Sequence, residues 1–506
     1  MERRMREAVP GAPPVVACTP SPPIGEAARE GRSTDHLSIG TKLGYGLGEM
    51  AEGVKTATLE TFLFFYYVQV IGLQGSLVGL ALLIALLFDG ISDPLIGQLS
   101  DRTATRFGRR HPYLYLAPLP LAFGLYMLFD PPAGLGQWGI FFWLLGFTAF
   151  CRLMQSFYFI PHMALGAELS TDFKERISVS GYRNIFAFAG RLLVIAIAFS
   201  IFFHTTPEYP QGQLNEGAYP PLALTCGVIA LVAILASAAT TQKRALQYYS
   251  RMQSQGRGQF HEPMLSNLFN AFRLRTFAIF FVAILISYVL GGVQAALAVH
   301  VNTFYWKLPT WGIQWVFLGA AFGFMLGSVF ARALADRLDK RTAYIASVIL
   351  SVALNVAPIA LREAGVLTPP ESAEMLTALL AAAAFFASLA GGPAMVIAGA
   401  MLADIADAYE LRFKSRSEGF LFGVSAFTRK ASLGIGGALA GVALDLIRFP
   451  QGVAVDEVPH ETAVHLALLY GPMMLVFTVI AMSIMWFYDL DRDKHARILH
   501  ELESKE

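Results

Sequence analysis

Residues 76–110 read SLVGLALLIALLFDGISDPLIGQLSDRTATRFGRR. From 76 to 99 the run is apolar almost throughout and carries two charges, Asp89 and Asp93. Coiled at about 1.5 Å per residue, such a run crosses a hydrocarbon core about 30 Å thick. It lacks the apolar/polar alternation of a barrel strand, and in lipid a continuous apolar segment satisfies its backbone as a helix. Directly behind it stand Arg102, Arg106, Arg109 and Arg110, a basic cluster of the kind retained on the cytoplasmic side.

The same pattern recurs along the chain. Of its 506 residues, 55% are hydrophobic and 15% charged, where soluble domains carry about 25% charged residues. The apolar blocks predict spans at 42–71, 76–99, 112–130, 137–165, 178–203 and 219–240, then at 276–304, 312–333, 342–361, 374–407, 419–446 and 463–488. The expected fold is an all-α membrane protein of twelve transmembrane helices in two six-helix halves. Its parts are a disordered tail over 1–40, a first bundle over 41–240, a linker over 241–275, a second bundle over 276–488 and a tail over 489–506. The first span is interrupted by Glu49, Glu52, Lys55 and Glu60, and the tenth by Gly391, Gly392 and Pro393. Interruptions of this kind belong to helices that face a cavity.

Lys and Arg concentrate in alternate connections. The linker holds Lys243, Arg244, Arg251, Arg257, Arg273 and Arg275; later come Arg332, Arg337, Lys340 and Arg341, then Arg412, Lys414 and Arg416. The intervening loops are nearly free of them, which puts both termini in the cytoplasm and requires an even number of spans. Gly97-Gln-Leu-Ser-Asp101-Arg102 after the second span is echoed by Ala333-Leu-Ala-Asp336-Arg337 after the eighth. Set against plain positive-inside loop chemistry, this reads as a parallel repeat of six helices, as expected for a major facilitator. Cys18, Cys151 and Cys226 have neither metal-ligand nor disulfide spacing. There is no Gly-rich nucleotide loop, nucleophile triad or metal cluster, so the sequence points away from an enzyme and from nucleic acid. No cofactor is expected.

Asp89 and Asp93 are one turn apart and share a helical face near mid-membrane. Two carboxylates there repel each other and are costly to bury. A bound cation, a retained proton, or pairing with basic side chains of other helices would each relieve them. Hard oxygen ligands suit Na⁺ or Li⁺, and a titrating acid suits H⁺. Glu52 and Lys430 are read as facing the cavity. Glu49 is set against the alternative of a headgroup-facing carboxylate near the interface, and Arg183 against that of a structural ion pair. Arg152 receives no role, and His162 is read as a structural histidine rather than a proton relay.

These residues resemble the glycoside–pentoside–hexuronide:cation symporters, the family of the bacterial melibiose carrier. The matching stretches are Lys42-Leu-Gly-Tyr45-Gly46, Asp89-Gly-Ile-Ser-Asp93-Pro94, Arg106-Phe-Gly108-Arg109-Arg110-His-Pro112, Ile160-Pro161 through Glu168, Tyr182-Arg183, Met401-Leu-Ala403-Asp404 and Phe427-Thr-Arg-Lys430. The resemblance implies Asp89, Asp93, Ser92 and Ser156 as cation ligands, with Asp89 and Asp93 binding the metal if it is Na⁺. It places Lys430 as the helix 11 lysine and Arg183 as the helix 5 arginine used in sugar binding. The acids that hold galactosides in this family fall here on Gly53 and Phe159, and the aromatic residue after the helix 4 proline falls on Met163. The expected substrate cavity is thus Glu52, Phe159, Met163, Arg183 and Lys430. The expected function is cation-coupled transport of a glycoside or related organic solute across the inner membrane by a monomer. The alternatives are an amphiphile such as a lysolipid, and a non-transporting sensor.

Overall fold

The computed structural model describes residues 37–103, 105–170, 172–255, 271–413 and 418–504. Most of the expected N-terminal tail and much of the linker lie outside these residues, as do Cys18, Arg257, Lys414 and Arg416. Among the described residues the chain forms twelve hydrophobic helical units. They are α1 (Ile39–Ala57, continued by π turns to Val70), α2 (Gly75–Arg102), α3 (His111–Leu116 and Pro118–Leu128), α4 (Gln137–Glu168), α5 (Phe173–Ile197) and α6 (Tyr219–Gln255). The second set is α7 (Arg275–His300), α8 (Thr310–Val329), α9 (Lys340–Glu363), α10 (Ala373–Phe413), α11 (Glu418–Leu446) and α12 (His460–Tyr470 and Pro472–Met485). Nine of these units are individually long and apolar enough to cross a membrane. The other three are α1, with its five charges, α3, broken at Ala117, and α11, which carries Arg429 and Lys430.

Three ends depart from expectation. Helix α1 begins at Ile39, because the Ser38 hydroxyl accepts the Thr41 amide at 3.1 Å and caps it. Helix α6 continues to Gln255, well into the expected linker. The segment read as a C-terminal tail holds a helix, α13 (Arg492–Glu503), capped by Asp491. It docks through His495, whose Nε2 lies 2.9 Å from Asp407 on α10.

The repeat is visible in the backbone. Aligned on Asp101 and Asp336, the π turn Tyr66–Val70 superposes in sequence on the π turn Val301–Tyr305. Ile71 N–H donates to Tyr66 O as Trp306 N–H does to Val301 O, and Leu73 to Tyr67 as Leu308 to Asn302. The residue between has positive φ in both copies, Gly72 at 74° and Lys307 at 49°. The next helix then starts at Gly75 in one half and Thr310 in the other.

The two halves meet at the end opposite the basic loops. Gly75 and Gly79 of α2 pack on Gly441 and Ala438 of α11; a Cβ on Gly441 would lie 2.0 Å from the Gly75 carbonyl oxygen. Small residues permit this approach of helix backbones. The Asp445 carboxylate of α11 accepts the Gly75 and Ser76 amides at 3.1 and 2.8 Å, capping α2 from the other half. Phe65 meets His300 at 4.9 Å, and Ser200 bonds Gln314 at 2.9 Å. Near the basic loops, the ion pairs among the described residues stay within a half, as in Arg109–Glu168 at 2.6 Å and Lys340–Asp404 at 2.6 Å. The space between the halves is therefore closed at one end and reached from the basic-loop end.

Candidate cation and substrate site

A cavity of about 270 Å³ lies between the halves, lined from α1, α2, α4, α5, α7 and α11. Its centre is the acid pair of α2. Each acid has its own basic partner from a different helix. Arg152 Nη1 of α4 is 2.7 Å from Asp89 Oδ2, and Lys430 Nζ of α11 is 2.9 Å from Asp93 Oδ2. The Ser156 hydroxyl of α4 donates to Asp93 Oδ1. Pairing with basic residues of other helices thus describes this structure. It explains how two acids one turn apart stay in one low-dielectric site, since each charge is offset locally.

The pairing is incomplete in a specific way. Asp89 Oδ1 and the Ser92 hydroxyl are both buried and have no hydrogen-bond partner. They are hard oxygens on adjacent turns of one helix, the donor type that a small monovalent cation takes. Buried polar atoms normally find partners, so each of these oxygens is left free to accept one.

Around this centre, Glu52 of α1 does line the cavity. Its carboxylate accepts from Lys55 at 3.1 Å, from the Thr56 hydroxyl at 2.9 Å and from Gln155 of α4. Phe159 lines it too, with the Lys430 ammonium 5.9 Å from its ring centroid. Arg191 of α5 reaches Glu60 at 3.7 Å, and Arg429 lines the C-terminal wall. Met163 and Arg183 stand apart from this lining. Met163 lies one helical turn beyond Phe159 toward the basic-loop end, and Arg183 Nη1 lies 2.8 Å from its sulfur. Arg183 also faces Glu49 at 4.0 Å. Glu49 is buried at 7% exposure instead of reaching for headgroups, because α4 and α5 cover it.

Gly53, where the resemblance puts a sugar-holding acid, has no room for one. A Cβ there would sit 2.0 Å from the Ala187 carbonyl oxygen, so α1 and α5 touch backbone to backbone. The sequence missed Arg152 as the partner of Asp89 and Gln155 as a partner of Glu52. The i, i+4 spacing of Arg152 to Ser156 and of Gln155 to Phe159 on α4 was the available signal.

The uncharacterized symporter sll1374 of Synechocystis sp. (strain ATCC 27184 / PCC 6803 / Kazusa) is 24% identical over 94% of this chain and 98% of that protein. The putative glycoside/cation symporter YagG of Escherichia coli (strain K12) is 25% identical over 87% and 90%. The sodium-dependent lysophosphatidylcholine symporter 1-B of Danio rerio is 30% identical, over 35% of this chain and 34% of its own length. A solved D-xylose-proton symporter shares the fold at a TM-score of 0.60 and 13% identity, covering 90% of this chain and 98% of that one. The chain belongs to the MFS/sugar transport protein family, whose model matches residues 44–492, and it is a multi-pass membrane transporter rather than an enzyme.

Proposed function

We propose that the chain is a secondary symporter that couples a glycoside or related organic solute to Na⁺. The observation that carries the coupling is the pair of orphaned buried oxygens, Asp89 Oδ1 and Ser92 Oγ, beside two acids already neutralised by Arg152 and Lys430. A cation entering there adds charge to a balanced site. It draws Asp89 and Asp93 toward itself and loosens their hold on the two basic side chains, which then turn to the solute. The solute site is complete only with the ion in place, and by reciprocity the solute tightens the ion by the same factor. The basic loops face the cytoplasm by the Lys/Arg bias, and the halves rock about the occupied site to release both ligands inside. One chain contains the whole cavity and acts as a monomer.

One feature favours a second substrate reading, an amphiphile. Phe159, Leu59, Leu63 and Phe64 give the cavity an apolar wall, and Gly53 excludes an acid that would grip a sugar.

The test is proteoliposome uptake and ligand-induced thermal shift, using a set of labelled glycosides and lysophospholipids with and without Na⁺ at fixed pH. A bound solute raises apparent stability by mass action. The expected result is a Na⁺-dependent shift and uphill uptake for one class. Asp93→Asn should abolish accumulation and leave exchange of bound solute. Uphill accumulation by the Asp89→Asn/Asp93→Asn double variant would overturn the coupling.

A further inference from the structure

Glu49 of α1, His162 of α4 and Arg183 of α5 form a buried cluster that the α2 acid pair does not use. His162 is fully buried and stacks on Tyr45 at 4.4 Å. Its Nε2 lies 3.2 Å from the backbone oxygen of Tyr45. A carbonyl oxygen only accepts, so Nε2 carries hydrogen, and the tautomer follows from the network. The Ser237 hydroxyl, 3.4 Å from the same nitrogen, is then a second acceptor. In a neutral ring the only lone pair is therefore on Nδ1. That atom lies 3.6 Å from Glu49 Oε2, and neither of the two has a hydrogen-bond partner. Two buried acceptors facing each other repel, whereas a proton on either one makes the contact attractive. The other oxygen of Glu49 has the Arg183 Nε at 4.0 Å, too far for a hydrogen bond.

The geometry points to a proton-binding site shared by Glu49 and His162, separate from the Asp89–Asp93 pair, with Arg183 as the cation that competes for Glu49. The proton rests on Nδ1 and is drawn to Oε2, while Nε2–H stays on the Tyr45 carbonyl. Among the described residues the other charged groups nearby have partners of their own. On α1, Lys42 pairs with Glu175 of α5 at 2.8 Å and Glu52 holds Lys55. Tyr158 of α4 lies 5.1 Å from the His162 ring. His111 of α3 is held by Thr241 of α6 at 3.2 Å. Among the described residues Arg183 is thus the fixed cation that faces Glu49. Glu49 also lines the central cavity, which gives the proton a path from the basic-loop end. Arg183 lies outside the cavity lining, so it competes with the proton for Glu49 rather than serving the solute, and displacing it from Glu49 favours the proton. Linkage makes the effect mutual.

The experiment is nitrogen NMR of the full chain in lipid nanodiscs with ¹⁵N-labelled histidine, the His162 signals being identified by their loss in His162→Gln. Infrared difference spectra report any protonated carboxyl at Glu49. Near neutral pH the wild type should show a proton on the pair, seen as a doubly protonated His162 ring or as a Glu49 carboxyl band. Glu49→Gln should return His162 to a neutral ring with hydrogen on Nε2, and Arg183→Gln should keep the proton in place. Should Glu49→Gln fail to fold, Glu49→Asp draws the carboxylate back and should lower the doubly protonated fraction. A neutral His162 with no carboxyl band in the wild type overturns the site. Where the wild-type ring is doubly protonated, an unchanged ring in a folded Glu49 variant does the same. The Asp89→Asn/Asp93→Asn double variant should keep the wild-type signal, and its loss there would overturn the separation of the two sites whatever becomes of Na⁺ coupling.

Discussion

The second and fourth helices of each half are equivalent pairs, and they are held together in opposite ways. In the first half, α2 and α4 touch through side chains, Asp89 to Arg152 and Asp93 to Ser156. In the second half, α8 and α10 touch through backbone. Cβ atoms on Gly319, Gly323 and Gly327 would lie 2.7, 2.1 and 2.2 Å from the carbonyl oxygens of Ala381, Phe385 and Leu389. Aligned on the repeat, Phe324 and Ser328 stand where Asp89 and Asp93 do, and Gly327 stands where Ser92 does. The α8–α10 spacing is fixed by steric contact and is indifferent to ions. The α2–α4 spacing depends on charge. On the proposed coupling, cation sensitivity resides in the first half, while the second half is a stiff wall that contributes Lys430 and Arg429 to the cavity.

The largest effect is expected where the stiff pair is wedged apart. Gly323→Val puts a branched side chain into the Phe385 backbone and should cost about 3 kcal/mol, with helix displacement. Thermal unfolding in detergent would show the loss, and Na⁺ should not restore it. Restoration by Na⁺ would break the contrast between the halves.

Arg152→Gln attacks the other pair. It removes the charge that offsets Asp89, whose side chain is 9% exposed, and should cost roughly 2 kcal/mol without ions, the scale of a lost hydrogen bond to a charged group. Here Na⁺ should help. With the guanidinium gone the ion takes its place, and stability should rise with Na⁺ concentration more steeply than in the wild type. A loss that is the same at all Na⁺ concentrations would make Arg152 a packing residue and nothing more.

Much of this contrast was legible in the sequence, and the reason for what was not is physical. Twelve spans and the two-half repeat follow from apolar length and basic loops, which are local properties. The α2 acids were legible because i and i+4 share a face whatever surrounds them. Arg152 was visible but had no partner, since pairing across helices depends on how α4 is rotated against α2. Glu49 was left open between cavity and headgroups, because position along a helix gives depth but not which side α4 and α5 cover. The helix α13 was read as tail, since its stability comes from an Asp491 cap and from His495 docking on α10 rather than from apolar length.

The smallest effect separates an ion ligand from a packing group at Ser92. Its hydroxyl is buried and makes no hydrogen bond, so Ser92→Ala removes a polar group that gains nothing from the fold in the ion-free protein. Stability without Na⁺ should be unchanged or slightly higher. With Na⁺ the same variant lacks one oxygen ligand, and its Na⁺-dependent stabilisation should need several-fold more ion, a difference of about 1 kcal/mol. The repeat shows why the position is informative. Its counterpart, Gly327, can hold no side chain, because α10 lies against its backbone; α2 stands far enough from α4 to leave room for a hydroxyl that the protein itself does not use. Thermal shift over a Na⁺ series measures both arms. An identical Na⁺ response in Ser92→Ala and wild type would move the ion away from this turn of α2 and leave the charge-held contact with α4 as a purely structural joint.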